Sequence, residues 1–159
     1  MPESTSESRP ESHGGVAATD HAVADVRVGV DVQSISRFAA MDDAVRRSLL
    51  ERVFTDDERA YCDGTRHPNQ HYAVRWAAKE AFVKTLDDAS AVPFTGVSVR
   101  RTDERPSIEL SDVSTAALER SLGTAPGAWT MDVSLSHDRD ADTAFAQVVV
   151  LATGGRADD

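Results

Sequence analysis

The stretch Arg75-Trp76-Ala77-Ala78-Lys79-Glu80-Ala81-Phe82-Val83-Lys84 contains both lysines of the chain, whereas the fifteen other Lys/Arg positions are all arginine. Arginine carries a flat, permanently charged fork, whereas lysine carries a compact ammonium whose pKa burial can move, so they are not interchangeable near phosphate or in proton transfer. We therefore treat Lys79 and Lys84 as the first functional candidates. A codon preference for arginine with two surviving lysines is the alternative explanation.

This stretch lies within residues 70–86, which we predict to form one long helix. Apolar or small residues recur there at three- and four-residue spacings, at Val74, Ala77, Ala78, Ala81, Phe82 and Thr85. On this helix Glu80 and Lys84 offer a carboxylate and an ammonium on one flank. For such a pair taken alone, the simpler explanation is a surface ion pair contributing a few tenths of a kcal/mol, on the order of 0.2–0.5.

The segments before this helix predict a tail, a strand and two shorter helical regions. Residues 1–25, rich in Ser, Glu, Pro, Gly and Ala, predict a disordered acidic tail. From Val26 onward, valines alternate with other residues, which predicts a strand whose valine face is buried and whose Asp31 points away from that face. Ser34 or Ser36 is expected to cap the next helix. The run from Thr55 to Glu58 predicts a capping box that begins a short helix.

The segments after the long helix predict mainly strands. Residues 96–101 and 107–110 predict a hairpin, residues 114–122 a helix ended by Gly123, and residues 131–136 and 144–152 two further strands. We therefore predict one α+β domain over residues 26–153, with a largely antiparallel sheet packed against the long helix. Residues 154–159 are expected to be a flexible tail.

Composition narrows the functional classes. The formal net charge of -10 opposes general binding to nucleic acid or to an anionic membrane. No apolar run approaches the roughly 18 residues of a membrane span, so we expect a soluble, cytoplasmic protein. The single cysteine, Cys62, has no partner for an internal disulfide and is interpreted as structural.

Two carboxylates and one histidine turn are the remaining candidates. Asp31 beside Glu80 would supply two hard oxygen ligands, which suits Mg²⁺ bound to a substrate diphosphate, although a lone strand aspartate is more often a solvated edge residue. Ser136 and His137 end a predicted strand, where an ordinary turn histidine is the alternative. His67 and His71 have helical metal-ligand spacing but no evident third ligand, so we expect them to face solvent.

Four motifs follow one another in the chain: Gly29-Val30-Asp31 with Arg37 and Phe38, Phe54-Thr55 with Glu58, Arg75 to Ala81 with Lys84, and Ser134-Leu135-Ser136-His137 before the closing strand. Together they resemble the 4'-phosphopantetheinyl transferases and, more narrowly, the holo-acyl-carrier-protein synthase group, over residues 26–152. The resemblance implies Mg²⁺-dependent transfer of the phosphopantetheine arm of coenzyme A to a serine of an acyl carrier protein or of a fatty acid synthase carrier domain. It also implies that fold, a role in fatty acid biosynthesis and a homotrimer with active sites between neighbours.

The resemblance further implies a role for each matched residue. Asp31 and Glu80 would hold the metal, Glu80 would also accept the serine proton, and Lys84 would stabilise the leaving phosphate. The positions implied near the coenzyme A phosphates are Arg75, Lys79, Lys84, Ser136 and His137.

Two departures and two alternatives accompany the resemblance. Leu86-Asp87-Asp88-Ala89 replaces the Gly-Thr-Gly of many relatives, and Glu104-Arg105-Pro106 replaces Gly-x-Pro at the hairpin. The chain could instead serve polyketide or nonribosomal peptide carriers, or be a non-catalytic module that binds coenzyme A or a carrier. The basic residues expected to dock an acidic carrier are Arg37, Arg46, Arg47 and Arg52, unless they form an ordinary solvated helix face.

Overall fold

The computed structural model describes residues 23–101 and 105–154. An antiparallel three-stranded sheet forms the centre of the fold. β5 (Thr143–Thr153) is the middle strand, with β1 (Val23–Ser34) on one side and β4 (Trp129–Asp138) on the other. β2 (Val97–Arg101) and β3 (Pro106–Leu110) form a separate antiparallel hairpin, as the sequence predicted. The α+β prediction with antiparallel sheets is confirmed.

Five α-helices surround these strands in the described residues: α1 (Ser36–Ala39), α2 (Asp43–Val53), α3 (Asp56–Asp63), α4 (Pro68–Val83) and α5 (Asp112–Leu122). α4 packs against β1 and β5 and is buried over most of its circumference. It begins two residues earlier than predicted, because Pro68 suits the first turn of a helix. It ends three residues earlier, since Lys84 is its C-cap.

Two of the predicted helix ends are confirmed. At the start of α3, the Thr55 hydroxyl accepts a hydrogen bond from the Glu58 amide at 3.3 Å, and the Glu58 carboxylate accepts one from the Thr55 amide at 2.9 Å. Gly123 ends α5 in the left-handed conformation with φ 61°, which glycine adopts without the steric cost of a Cβ.

The predicted serine cap of the helix that follows β1 is wrong. Ile35 occupies the N-cap position of α1 and makes no side-chain capping bond. The Ser34 and Ser36 hydroxyls instead donate to the Asp142 carboxylate at 2.5 and 2.7 Å, and that carboxylate also accepts from the Ser36 amide at 2.7 Å. The longer helix α2 is capped by Asp42, which accepts from the Ala44 amide at 2.9 Å.

The two faces of β1 are reversed relative to the prediction. The valine face, made of Val26, Val28, Val30 and Val32, is 41–57% exposed in the single chain. The opposite face, which includes Asp31, lies against α4 because Gly29 has no side chain there. A Cβ on Gly29 would lie 1.7 Å from the Ala81 carbonyl oxygen. Asp31 does point away from the valines, as expected.

The predicted tails lie mostly outside the described residues. The exceptions are residues 23–25, which already belong to β1, and Gly154, which follows β5. β1 therefore begins three residues earlier than the sequence pattern indicated. Within residues 23–101 and 105–154, no helix combines the length and apolar character that crossing a membrane requires.

Candidate active site

Asp31 and Lys84 come together where β1 crosses the end of α4, close to Glu80 on the same helix. The Lys84 ammonium donates to Asp31 Oδ1 at 2.9 Å and to the Val30 carbonyl at 2.8 Å. Glu80 lies one helical turn before Lys84, on the same flank of α4. β1 and α4 can cross this closely because Gly29 has no side chain. The distance between the two elements is therefore set by backbone contact between Gly29 and Ala81.

Each carboxylate is also held by a neutral donor. Gln33 Nε2 donates to Asp31 Oδ2 at 2.7 Å, and Trp76 Nε1 donates to Glu80 Oε1 at 3.1 Å. Arg37 touches both donors, because its Nη1 lies 3.3 Å from Gln33 Oε1 and its guanidinium lies 4.8 Å from the centre of the Trp76 ring. The two acids therefore belong to one connected polar network.

The two carboxylates of Asp31 and Glu80 suit Mg²⁺, which takes only part of its ligands from protein, better than they suit a metal ion bound by protein side chains alone. No cluster of three or more His, Cys, Asp or Glu side chains with metal-binding geometry occurs in the described part of the chain. Mg²⁺ is commonly bound by one or two carboxylates, with water and substrate phosphate completing its shell. Asp31, whose side chain is 13% exposed, and Glu80 could provide such a pair.

Lys79 lies elsewhere, which corrects the expectation that it binds ligand directly. Its side chain is fully buried, and its ammonium lies 2.8 Å from Glu58 Oε2 and 2.9 Å from the Phe94 carbonyl. It also donates to the Val97 carbonyl. Burial lowers the pKa of Lys79, while the Glu58 carboxylate opposes that change. With its donors committed inside the protein, Lys79 is a structural residue in this fold.

A basic cavity of about 320 Å³ lies on the other flank of α4. It is lined by His71, Val74, Arg75, Val99, Arg100, Arg101, Arg105, Pro106, Leu135, Ser136 and His137. Arg75 is 3% exposed, and its guanidinium lies 4.1 Å from the centre of the Tyr61 ring. Its Nε has no hydrogen-bond partner in the described residues, so a buried donor is available to an anion.

The structure brings three of the expected ligand contacts to this cavity: Arg75, Ser136 and His137. The ring of His71 lies 5.8 Å from that of His137, so His71 faces the cavity rather than solvent as expected. Burial, together with the Arg75 charge, lowers the pKa of His71 to about 4, so this imidazole is neutral near pH 7. The arginines therefore supply most of the positive charge.

The two groups of candidate residues do not form one site within a single chain. Arg75 and Lys84 are nine positions apart, which places them about 180° apart around the axis of α4, at roughly 100° per residue. The cavity group made of Arg75, Ser136 and His137 thus lies on the flank opposite the acidic group made of Asp31, Glu80 and Lys84.

The segment that replaces Gly-Thr-Gly is tied down by side chains. The Asp87 carboxylate receives Arg27 Nη1 at 2.7 Å, and the Asp87 amide donates to Ser121 Oγ at 3.0 Å. Sequence reasoning did not identify this contact, nor Gln33, nor Arg101 in the cavity. The one sequence signal for the Asp87 contacts was the presence of Asp87 in the segment where many relatives have Gly-Thr-Gly.

Three comparisons identify what this chain is similar to. A family model described as the 4'-phosphopantetheinyl transferase superfamily matches residues 27–146. A holo-[acyl-carrier-protein] synthase of Anaeromyxobacter sp. (strain K) is 38% identical over 125 residues, covering 79% of this chain and 92% of the relative. The corresponding synthase of Myxococcus xanthus is 35% identical over 128 residues, covering 80% and 95%.

The fold comparison agrees. A solved structure described as a Chronobacterium ammoniagenes ACPS-CoA complex has a TM-score of 0.65 and 30% identity, covering 80% of this chain and 98% of that one. The chain therefore belongs to the 4'-phosphopantetheinyl transferase superfamily. Within it, the chain belongs to the group of holo-acyl-carrier-protein synthases and is an enzyme of that type.

Proposed function

We propose that the protein transfers the 4'-phosphopantetheine arm of coenzyme A to a serine hydroxyl of an apo acyl carrier protein or carrier domain, in a Mg²⁺-dependent reaction in the cytoplasm. Adenosine 3',5'-bisphosphate is the second product. The observation that carries this proposal is the contact of Lys84 with Asp31 beside Gly29, one helical turn after Glu80. Two carboxylates and one ammonium match the needs of a diphosphate substrate bound with a metal ion.

Asp31 and Glu80 are the proposed ligands of Mg²⁺. Bound there with the diphosphate, the ion would neutralise charge on the phosphoryl oxygens. Lys84 holds Asp31 Oδ1 in the present arrangement. Its side chain is 51% exposed, so it has the freedom to turn from Asp31 toward an incoming phosphate.

The proton and the leaving group have separate partners in this proposal. The hydroxyl oxygen of the carrier serine attacks the β-phosphorus of coenzyme A, and Glu80 accepts the proton of that hydroxyl directly or through water. The bond from that phosphorus to the bridging oxygen breaks, and the electron pair leaves with adenosine 3',5'-bisphosphate. Lys84 stabilises the charge that develops on this leaving phosphate.

The nucleotide end of coenzyme A is proposed to occupy the basic cavity. Arg75 offers a buried Nε donor, and Ser136 and His137 line the same cavity. Charge-assisted donors of this kind bind phosphate strongly in a site of low exposure. The cavity would supply the phosphate contacts that Gly-Thr-Gly provides in many relatives.

Assembly would bring the two flanks together. The acidic group and the cavity group lie on opposite sides of α4, so a neighbouring copy must complete each site. The exposed valine face of β1 continues onto β5 through Phe145, Val149 and Leu151. Such an apolar face is a natural contact between copies. We propose a homotrimer, and sedimentation equilibrium tests the number of copies.

The carrier is proposed to dock near α1 and α2. Arg37, Arg47 and Arg52 are exposed there, whereas Arg46 is partly buried and bonds the Phe38 carbonyl. Because the chain is acidic overall, an acidic carrier would depend on this local positive patch rather than on long-range attraction. Arg37 lies beside the network that holds Asp31 and Glu80.

The decisive experiment incubates the protein with coenzyme A, Mg²⁺ and an apo carrier, and follows the carrier by intact mass. We expect a gain of one phosphopantetheine, which chelation of Mg²⁺ or the Glu80→Ala substitution abolishes. No gain on free or synthase-embedded carriers, with coenzyme A still bound, would instead favour a non-catalytic module.

A mixing experiment tests the shared site. Glu80→Ala and Arg75→Ala are each expected to be inactive as pure proteins. Refolding them together should restore part of the activity, because mixed assemblies contain some sites with both intact flanks. Activity that stays at the level of the separate variants would contradict a site built from two copies.

A further inference from the structure

We propose that Gln33 and Trp76 are positioning residues, which hold Asp31 and Glu80 in the geometry that binds the metal–diphosphate substrate. The inference rests on the proposed function of the two acids. It adds two residues whose side chains are not expected to touch the metal, the substrate or the reacting atoms.

The first observation is that each donor takes one oxygen of a different acid. Gln33 Nε2 donates to Asp31 Oδ2 at 2.7 Å, while Lys84 occupies Oδ1 of the same carboxylate. Trp76 Nε1 donates to Glu80 Oε1 at 3.1 Å, and no described residue bonds the second oxygen of Glu80. Each bond removes rotational freedom from a carboxylate and leaves it able to accept a cation.

The second observation is that both donors are themselves fixed. Trp76 is 8% exposed and packs edge-on against Phe38 and Phe54, so its indole N–H has one orientation. Arg37 covers the open face of the Trp76 ring and donates to Gln33 Oε1. That contact orients the Gln33 amide so that its NH₂ group faces Asp31.

The chain contains a matched control for the indole. Trp129 Nε1 donates to Glu119 Oε1 at 3.2 Å, a bond of the same kind that lies outside both candidate groups. Trp76→Phe and Trp129→Phe therefore each remove one indole donor from one glutamate. Gln33→Met removes the amide while keeping a side chain of similar length.

The primary test titrates Mn²⁺ into each protein in the presence of coenzyme A, with a coenzyme A blank, and follows free Mn²⁺ by electron paramagnetic resonance. We expect Trp76→Phe and Gln33→Met each to weaken Mn²⁺ binding about tenfold, the lower end of the effect of such outer contacts. Trp129→Phe should bind as the parent protein does. Sedimentation of all three variants is expected to match the parent. Urea unfolding should show some loss of stability for Trp76→Phe, because its indole is buried, but each variant should be fully folded under the conditions of the titration.

Three results would overturn the inference. The first is parent-like Mn²⁺ affinity in both Trp76→Phe and Gln33→Met. The second is equal weakening in Trp129→Phe, and the third is weakening only in variants that are partly unfolded or dissociated under the conditions of the titration. If Asp31→Ala and Glu80→Ala also bind Mn²⁺ normally, the proposed metal site itself is wrong, which distinguishes the two failures.

Fluorescence provides a signature that a purely structural role would not give. In the Trp129→Phe protein, Trp76 is the remaining tryptophan of the chain. Adding Mg²⁺ with coenzyme A should shift the Trp76 emission, because Glu80, which accepts the indole N–H bond, becomes a metal ligand. The Glu80→Ala substitution should remove this shift. Unchanged emission during normal metal binding would overturn the role of Trp76.

Discussion

Lys79 and Lys84 occupy the same helix end and share the same chemistry, yet the fold uses them in opposite ways. Lys79 is fully buried with Glu58 at 2.8 Å, and two backbone carbonyls accept its other protons. Lys84 is 51% exposed and meets Asp31 at 2.9 Å. A buried ion pair such as Lys79–Glu58 holds together the two helices that carry its charges. In a half-exposed pair such as Lys84–Asp31, the lysine can leave its partner and bind a ligand instead.

Rarity in the sequence drew attention to both lysines, but it did not separate these roles. The partner of Lys79 is the capping-box glutamate of α3, whose other oxygen accepts from the Val99 amide at 2.9 Å. One buried carboxylate therefore links α3, α4 and β2. The partner of Lys84 lies on the strand that Gly29 brings against α4.

The largest expected effect comes from Lys79→Ala. Removing one partner leaves the Glu58 charge buried without its counter-ion, which should lower the free energy of unfolding by about 3–5 kcal/mol. Urea unfolding at one fixed protein concentration measures this loss. Lys79→Met combined with Glu58→Gln should recover part of it, because no unpaired charge remains, whereas one of the two backbone amides that Glu58 accepts from loses its acceptor. If Lys79→Ala lowers the free energy of unfolding by less than about 1 kcal/mol, the proposed difference between a structural Lys79 and an exposed Lys84 is contradicted.

Lys84→Ala should act on the reaction rather than on the fold. We expect kcat for carrier modification to fall by about 10²–10³-fold, the effect of removing one donor that stabilises developing charge. The free energy of unfolding should change by no more than about 1 kcal/mol, since the Asp31 pair is half-exposed. Steady-state kinetics and urea unfolding on the same preparation check both values. A large stability loss with intact kcat would reverse the assignment.

Gly29→Ala should damage the environment of Lys84 and spare that of Lys79. The added Cβ would approach the Ala81 carbonyl within 1.7 Å, so β1 and α4 must separate. Overpacking of this kind costs about 1–3 kcal/mol. We expect that loss in urea unfolding, together with weaker Mn²⁺ binding in the presence of coenzyme A. Gly64→Ala is a suitable control, because a Cβ there meets its nearest atom at 3.3 Å.

The mildest test changes no residue. An amine-acylating reagent should modify Lys84 in the native protein and leave Lys79 intact, because Lys79 is fully buried. Coenzyme A with Mg²⁺ should then protect Lys84. Peptide mapping by mass spectrometry follows the two positions, and unfolding in urea should make both react. Equal labelling of the two lysines in the native state would contradict their different burial.

Local patterns predicted much of the fold. The capping box at Thr55, the end of α5 at Gly123, the hairpin and the closing strands each depend on neighbouring residues, so their sequence signals were sufficient. The same local logic placed Glu80 and Lys84 on one flank of a helix. These elements required no knowledge of which surfaces meet in the folded chain.

The errors arose where the outcome depended on contacts between distant segments. Alternation showed that β1 has two faces but not that the Gly29 face would receive α4, leaving the valines exposed. The burial of Lys79 depends on α3 and β2 closing over it. The serine hydroxyls near α1 bond a residue more than a hundred positions away, Asp142, which local capping rules cannot anticipate.

The exposed valine face has a kinetic consequence. If covering that face brings Arg75 of one copy to the Glu80 of another, then the isolated chain is a complete fold with an incomplete site. Specific activity would then depend on the total protein concentration, rising steeply through the range where chains associate and levelling off above it. Cells that make few copies would have disproportionately less enzyme activity than the number of chains indicates.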